Sequence, residues 1–198
     1  MTSGKSNESN AVDVDGIGFE TVMPERVLFI PAMQPGANTL NIVTSHQEAP
    51  TPVEIGIRIT NNTQIPVCLS FYGTISPELR MPDGQIKRVG SYFSDWVVQP
   101  QNSDFPTVLP GEALTFSPGA ALNRHEDDQL QLLVSVGNGG YWIFEALHSG
   151  TYQIRFKYQN NAKKLRAYDP ALQTNKLIEN IWTGVILMPF VEFSILSR

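Results

Sequence analysis

A chain of 198 residues, 41% apolar and 10% aromatic, has length and material for one packed domain, which excludes wholesale disorder. Its net charge of −5 argues against a dedicated nucleic-acid binder, because phosphate recognition rests on clustered Lys and Arg. Cys68 is the single cysteine, so an internal disulfide, including the inter-sheet bridge of antibody domains, is excluded.

Residues 1–16 are small and polar and read as a disordered N-terminus without the apolar region of a secretory signal. With no apolar run long enough to cross a bilayer, the expectation is a cytoplasmic protein that has no membrane partner. Asp13-Val14-Asp15-Gly16 has the opening spacing of a calcium loop. Its later ligand positions hold Ile17 and Pro24, so a flexible turn is the reading. Residues 17–50 read as an extension with one or two added strands, around residues 27–30 and 40–43, separated by Pro35-Gly36.

From residue 51 the pattern becomes regular. Val53, Ile55, Ile57 and Ile59 alternate with Glu54, Gly56, Arg58 and Thr60, the period of a half-buried strand. Asn61 and Asn62 then supply turn chemistry, and Ile65, Val67, Leu69 and Phe71 return on one face. These two runs make either a hairpin or an arch between sheets. Pro82-Asp83-Gly84 and Leu109-Pro110-Gly111-Glu112 are turns, the second feeding a short strand at residues 113–116. Leu130, Leu132, Val134 and Val136 mark a strand closed by Gly137-Asn138-Gly139-Gly140. Residues 141–147 lead to a corner, where Gly150-Thr151-Tyr152 opens a strict alternation of Tyr152, Ile154, Phe156 and Tyr158. In immunoglobulin-like sandwiches a Tyr at such a corner bonds through its hydroxyl to upstream backbone. Residues 160–180 read as a polar loop insertion with a helical turn at 169–176, and the last strand pair falls at 181–185 and 191–195. About eight strands at this spacing predict an all-β protein, an immunoglobulin-like β-sandwich over residues 51–198 with an N-terminal extension.

The order of these signals resembles bacterial cytoplasmic Ig-like domains of the intracellular proteinase inhibitor (BsuPI-like) type. The residues that carry the resemblance are Arg58-Ile59-Thr60-Asn61-Asn62-Thr63, Pro82-Asp83-Gly84, Leu109-Pro110-Gly111-Glu112 and Gly150-Thr151-Tyr152, followed by a closing apolar strand. It covers about residues 51–198 and implies a sandwich fold with an inhibitory loop that enters a protease cleft. The N-terminal extension and residues 160–180 depart from a compact domain of that type.

Chemistry-bearing constellations are sparse. His46, His125 and His148 are scattered through loops, and the single Cys does not complete a zinc set. His125-Glu126-Asp127-Asp128 reads as a solvated acidic loop. No Gly-x-Ser-x-Gly elbow or phosphate loop occurs, and Cys68 has no basic neighbour in sequence to activate it. The expectation is therefore a protein that is not an enzyme and uses no metal or cofactor. Trp142, beside Ile143 and Phe144, is the expected inter-sheet Trp. Tyr92, Phe93, Asp95 and Trp96 form a polar-aromatic stretch and are the expected binding contacts, with residues 160–180 beside them.

The combined reading is a non-catalytic protein-interaction module. It would bind another protein through its loops, or through an exposed sheet edge by strand addition. A carbohydrate-binding module, which needs coplanar exposed aromatics, is the alternative. A small-molecule enzyme, which needs a pocket of convergent polar groups, stands behind it.

Overall fold

In a computed structural model of the chain, the described residues are 11–30, 50–88, 91–93, 98–124, 129–135 and 140–197, with 91–93 described by backbone alone. The described strands begin with β1 (Val12–Val14), β2 (Ile17–Val22), β3 (Val27–Phe29), β4 (Thr51–Val53), β5 (Gly56–Asn61) and β6 (Val67–Cys68). They continue with β7 (Ile75–Arg80), β8 (Ile86–Lys87), β9 (Ser91–Phe93), β10 (Thr107–Val108), β11 (Ala113–Phe116) and β12 (Ala120–Arg124). The C-terminal part adds β13 (Leu130–Ser135), β14 (Gly140–Leu147), β15 (Gly150–Asn160) and β16 (Lys164–Asp169). Last come β17 (Thr174–Glu179), β18 (Gly184–Leu187) and β19 (Val191–Leu196). The protein is all-β: among the described residues the helical structure is one short 3-10 turn, Asn102–Asp104.

Strand order is β1-β2-β5-β11 in one sheet, β4-β12-β13-β14-β9 in a second and β3-β19-β15-β7-β8 in a third, with β18 also paired to β15. Two small ladders, β6-β10 and β16-β17, complete the set. The three large sheets and β6-β10 feed one continuous apolar core, in which Phe19, Leu122, Val134, Phe144, Phe156 and Tyr158 are wholly enclosed. This is a β-sandwich-like arrangement of facing sheets, driven by the removal of these side chains from water.

The residue pattern explains the strand ends. The alternating run that begins at Val53 is two strands, not one: β4 lies in the second sheet and β5 in the first. Gly56 sits at the crossing, where a Cβ would collide with the Phe116 carbonyl oxygen. The turn after β5 is the sheet-to-sheet arch, because β5 pairs with β2 and β11 while β6 pairs with β10. Asn61 fixes this arch. Its side-chain N–H groups donate to the Ile65 and Val108 carbonyls at 2.8 and 2.9 Å, and its Oδ1 accepts from Thr63 N and Oγ1. Its backbone N–H and C=O bond to the Leu109–Glu112 turn, donating to Glu112 and accepting from Gly111. A buried amide with every group satisfied holds three chain segments in one register.

At the far corner, the Tyr152 hydroxyl donates to the His148 carbonyl at 2.9 Å and accepts the His148 N–H at 3.0 Å. The corner therefore has the hydroxyl-to-upstream-backbone bond that its sequence predicts, and the bond runs both ways.

Several expectations are corrected. Residues 12–14 are not disordered but form β1, and Asp15-Gly16 is a tight hairpin turn with both φ angles positive, 55° and 76°. Asp-Gly suits such a turn because it tolerates left-handed backbone. Residues 160–180 are not a loop with a helical turn. They form the β16-β17 hairpin, whose inward Ala167 and half-buried Leu165 and Ile178 pack with Phe105 and Ile181 in a second small core. Asp169 Oδ1 accepts the Ala171 and Leu172 N–H groups and closes its turn. The last two strands do not pair with each other: β19 and β18 both lie along β15. Trp142 is a half-buried residue packed against the core, while Phe19, Phe144, Phe156, Tyr158 and Phe193 are its most deeply buried aromatics.

Candidate functional site

The candidate site grows from β15, the longest strand. Its outward residues point N–H groups toward β7, as shown by Gln159 N donating to Thr74 O at 2.7 Å. On the opposite flank, Met188 N donates to Phe156 O at 3.0 Å. In an antiparallel ladder bonded pairs alternate with non-bonded ones, so Ile186 and Tyr158 form a bonded pair. Val185 and Leu187 then turn their N–H and C=O groups away from β15, and no further strand pairs with β18 among the described residues. Their side chains are 56% and 46% exposed. The same flank of β15 is covered further along, where β19 carries β3 on its other side. The open edge is thus a short β-branched and aliphatic strand with free backbone groups, the template for pairing with another chain.

Beside this edge lies a cationic face. The charged residues on the outer face of β7 and β15 are Glu78, Arg80, Arg155 and Lys157, and Arg88 follows β8. Glu78 is 4% exposed. Its Oε2 accepts Arg155 Nε at 2.8 Å, and its Oε1 accepts Arg88 Nε at 2.7 Å. Burial acts to raise the Glu78 pKa, but the hydrogen bonds and charges of Arg155 and Arg88 together outweigh it and hold the carboxyl below its ordinary value. Arg80 and Arg155 also stack on the Phe190 ring, at 4.1 and 4.3 Å from its centroid.

A cavity of about 290 Å³ opens on this face, lined by Ser76, Glu78, Arg88, Trp142, Lys157 and Leu187 among others. Leu187, Lys157 and Ser76 stand directly across from one another on three adjacent strands, so the cavity runs up to the open edge. Lys157 makes no ion pair among the described residues. The Trp142 indole N–H is buried without a hydrogen-bond partner. A larger groove of about 1020 Å³ follows β2 and reaches Phe190. Its two arginines are engaged within the fold, Arg58 with Glu20 at 3.7 Å and Arg26 with the Glu192 carbonyl at 3.1 Å.

Of the expected binding residues, Tyr92 and Phe93 are strand residues rather than loop residues. Their backbones pair with Tyr141 and Gly140 in β14. Asp95 and Trp96 lie outside the described residues, as do His46 and His125. His148 contributes its backbone to the Tyr152 corner and its side chain is exposed. Cys68 is half-buried, and burial raises its thiol pKa against the opposing hydrogen bond from Thr107. Sequence reasoning missed the Glu78 cluster, whose members join only through the β7–β15 register. A signal for the open edge was present: Val185-Ile186-Leu187 is apolar at every position where a half-solvated strand would alternate.

Among the described residues no helix is long and apolar enough to cross a membrane. Compared with protein-family models, curated proteins and solved structures, the chain matches none of them.

Proposed function

We propose that the chain is a non-catalytic protein-interaction module, built on an immunoglobulin-like β-sandwich, that captures a partner by strand addition at β18. The observation that carries this reading is the open edge, where Val185 and Leu187 direct side chains and unpaired backbone groups outward. The Tyr152 corner supports the immunoglobulin-like assignment, since its hydroxyl bonds both ways to the His148 backbone. The partner class implied by the resemblance to intracellular proteinase inhibitors is a proteinase, whose cleft takes extended chains.

The test is a tagged pull-down from native lysate at moderate salt, with wild type beside Val185→Pro, Tyr92→Ala and Trp96→Ala. Proline at position 185 removes an N–H that the ladder does not use, so the fold is expected to persist. One stoichiometric protein held by wild type and both aromatic variants, but lost by Val185→Pro, is the expected result. Capture that survives Val185→Pro and fails with Tyr92→Ala or Trp96→Ala would move the surface to the aromatic stretch. No capture by folded wild type would remove the strong-partner reading.

A further inference from the structure

The proposed strand addition leaves open what kind of segment the edge selects, and the cationic face beside it bears on that choice. Resting on that reading, we infer that the added segment is acidic: it places a carboxylate opposite Leu187 and an apolar residue opposite Val185. Val185 and Leu187 are the β18 residues whose backbone groups face outward, so their partners in an added strand share the outer face with them. Cross-strand pairing favours an apolar, β-branched neighbour for Val185. At Leu187 the row continues inward to Lys157 and Ser76, along the cavity that Arg88 also lines.

The charge balance of this face is uneven. Arg80, Arg88, Arg155 and Lys157 stand with two carboxylates, Glu78 and, on β19 opposite Gln153, Glu192. Both Glu78 oxygens are already taken by Arg155 and Arg88, and Glu192 lies at the end of the face away from Lys157. Arg88 is 70% exposed and commits its Nε to Glu78, while Lys157 has no ion-pair partner among the described residues. This local excess of positive charge stands in a chain of net charge −5, so it is a feature of the face and not of the whole protein.

Reach is sufficient. An added strand lies about 4.8 Å beyond β18, so its backbone is roughly 10 Å from that of β15. An extended Lys157 and a Glu side chain together span that gap over Leu187. Backbone separation of this size exceeds the screening length of about 8 Å at physiological salt, so the attraction rests on the two side chains closing to contact and weakens as salt rises.

A second copy of this chain does not supply the complement. Antiparallel self-pairing about Ile186 would set Leu187 opposite Val185 and bring two Lys157 side chains to the joint with no carboxylate between them. Like charges beside a shared edge oppose pairing.

The experiment measures binding of a labelled extended peptide of alternating Val and Thr with one Glu, beside its Glu-to-Gln counterpart, by fluorescence polarisation. Wild type is expected to prefer the Glu peptide by about tenfold, or roughly 1.4 kcal/mol, and to lose that preference as salt rises. Lys157→Gln should bring the two peptides to equal affinity, and Val185→Pro should abolish binding of both. Equal affinities in wild type would overturn the acidic inference and leave strand addition standing. Binding of neither peptide by folded wild type would overturn both. Competition by glutarate, with Val185→Pro binding the Glu peptide as well as wild type does, would show a free-carboxylate site and overturn the edge as its host. A dimer in analytical ultracentrifugation that Val185→Pro dissolves would make a second copy the occupant and overturn the proposal.

Discussion

β18 and β19 lie along the same flank of β15, yet the fold treats them differently. β19 is enclosed: β3 runs parallel to it on its outer side, and Phe193 stacks on Tyr152 with ring centroids 5.7 Å apart. β18 has β15 on one side and no strand on the other among the described residues, and its two outward aliphatic side chains meet solvent. The difference teaches that edge protection is applied selectively. A sheet edge with free backbone groups is an aggregation hazard, which proteins blunt by covering, charging or shortening it. Here half of the edge is covered by β3, while the other half is short and stands beside Lys157.

The strongest way to sharpen this contrast is to remove packing from the covered half. Phe193 is 2% exposed, and Phe193→Ala is expected to cost about 3–5 kcal/mol through lost burial and the cavity left behind. Urea denaturation reads this as a lower midpoint at unchanged slope. A loss below about 1 kcal/mol would mean that the enclosed half can collapse around the gap.

The cationic face comes next. Glu78→Gln strips Arg155, 17% exposed, of its carboxylate and is expected to cost about 3 kcal/mol. The pH dependence has a definite sign. The folded Glu78 pKa is depressed, so its stabilisation is present above the ordinary Glu value of about 4.3 and is lost as pH falls through the folded value. Thermal unfolding from neutral to acid pH should show a steeper loss for wild type than for Glu78→Gln. Equal slopes would mean that the two arginines do not hold the carboxylate in solution.

Much of the enclosed half is legible in the sequence because its signals are local. Gly150-Thr151-Tyr152, the alternation on β15 and the Leu109–Glu112 turn each depend on residues a few positions apart. The β16-β17 hairpin is not legible that way, since five of the six β17 residues are exposed and leave no apolar period. The open edge escapes for a different reason. That β18 is apolar can be read directly, but whether another strand lies beyond it depends on where β3 and the rest of the chain come to rest. The cluster around Glu78 needs residues 77 positions apart to meet, which no window of sequence displays.

The β15 tyrosines extend the comparison to high pH. Tyr152, on the enclosed half, bonds the His148 backbone, while Tyr158, opposite Ile186 of the open strand, is fully buried and accepts the Ser70 N–H at 3.2 Å. Burial pushes the Tyr158 phenol up to about 12, against the lowering effect of the Ser70 hydrogen bond. A raised folded pKa means that the stabilisation is complete below the unfolded value of about 10 and is lost as pH rises through the folded value. The loss is on the order of 2 kcal/mol. Melting temperatures across this alkaline range should fall for wild type and fall less for Tyr158→Phe, which keeps the ring but cannot ionise. A parallel fall in both would place the alkaline sensitivity elsewhere.

The smallest expected effect is the one that separates a binding edge from a structural one. Leu187→Thr keeps β propensity and replaces an aliphatic side chain that is 46% exposed, so stability should change by no more than about 0.5 kcal/mol. The backbone groups offered to a partner remain, and so does the cationic row that runs inward from position 187. What changes is the apolar surface on which the methylene groups of the added strand's acidic side chain lie as it reaches past position 187, worth roughly 1 kcal/mol by the area removed from water. A several-fold loss of partner affinity at unchanged melting temperature is therefore the expected pair of results. A melting temperature that falls in step with affinity would mean that Leu187 is packed within the fold, and the contrast between β18 and β19 would then be one of degree.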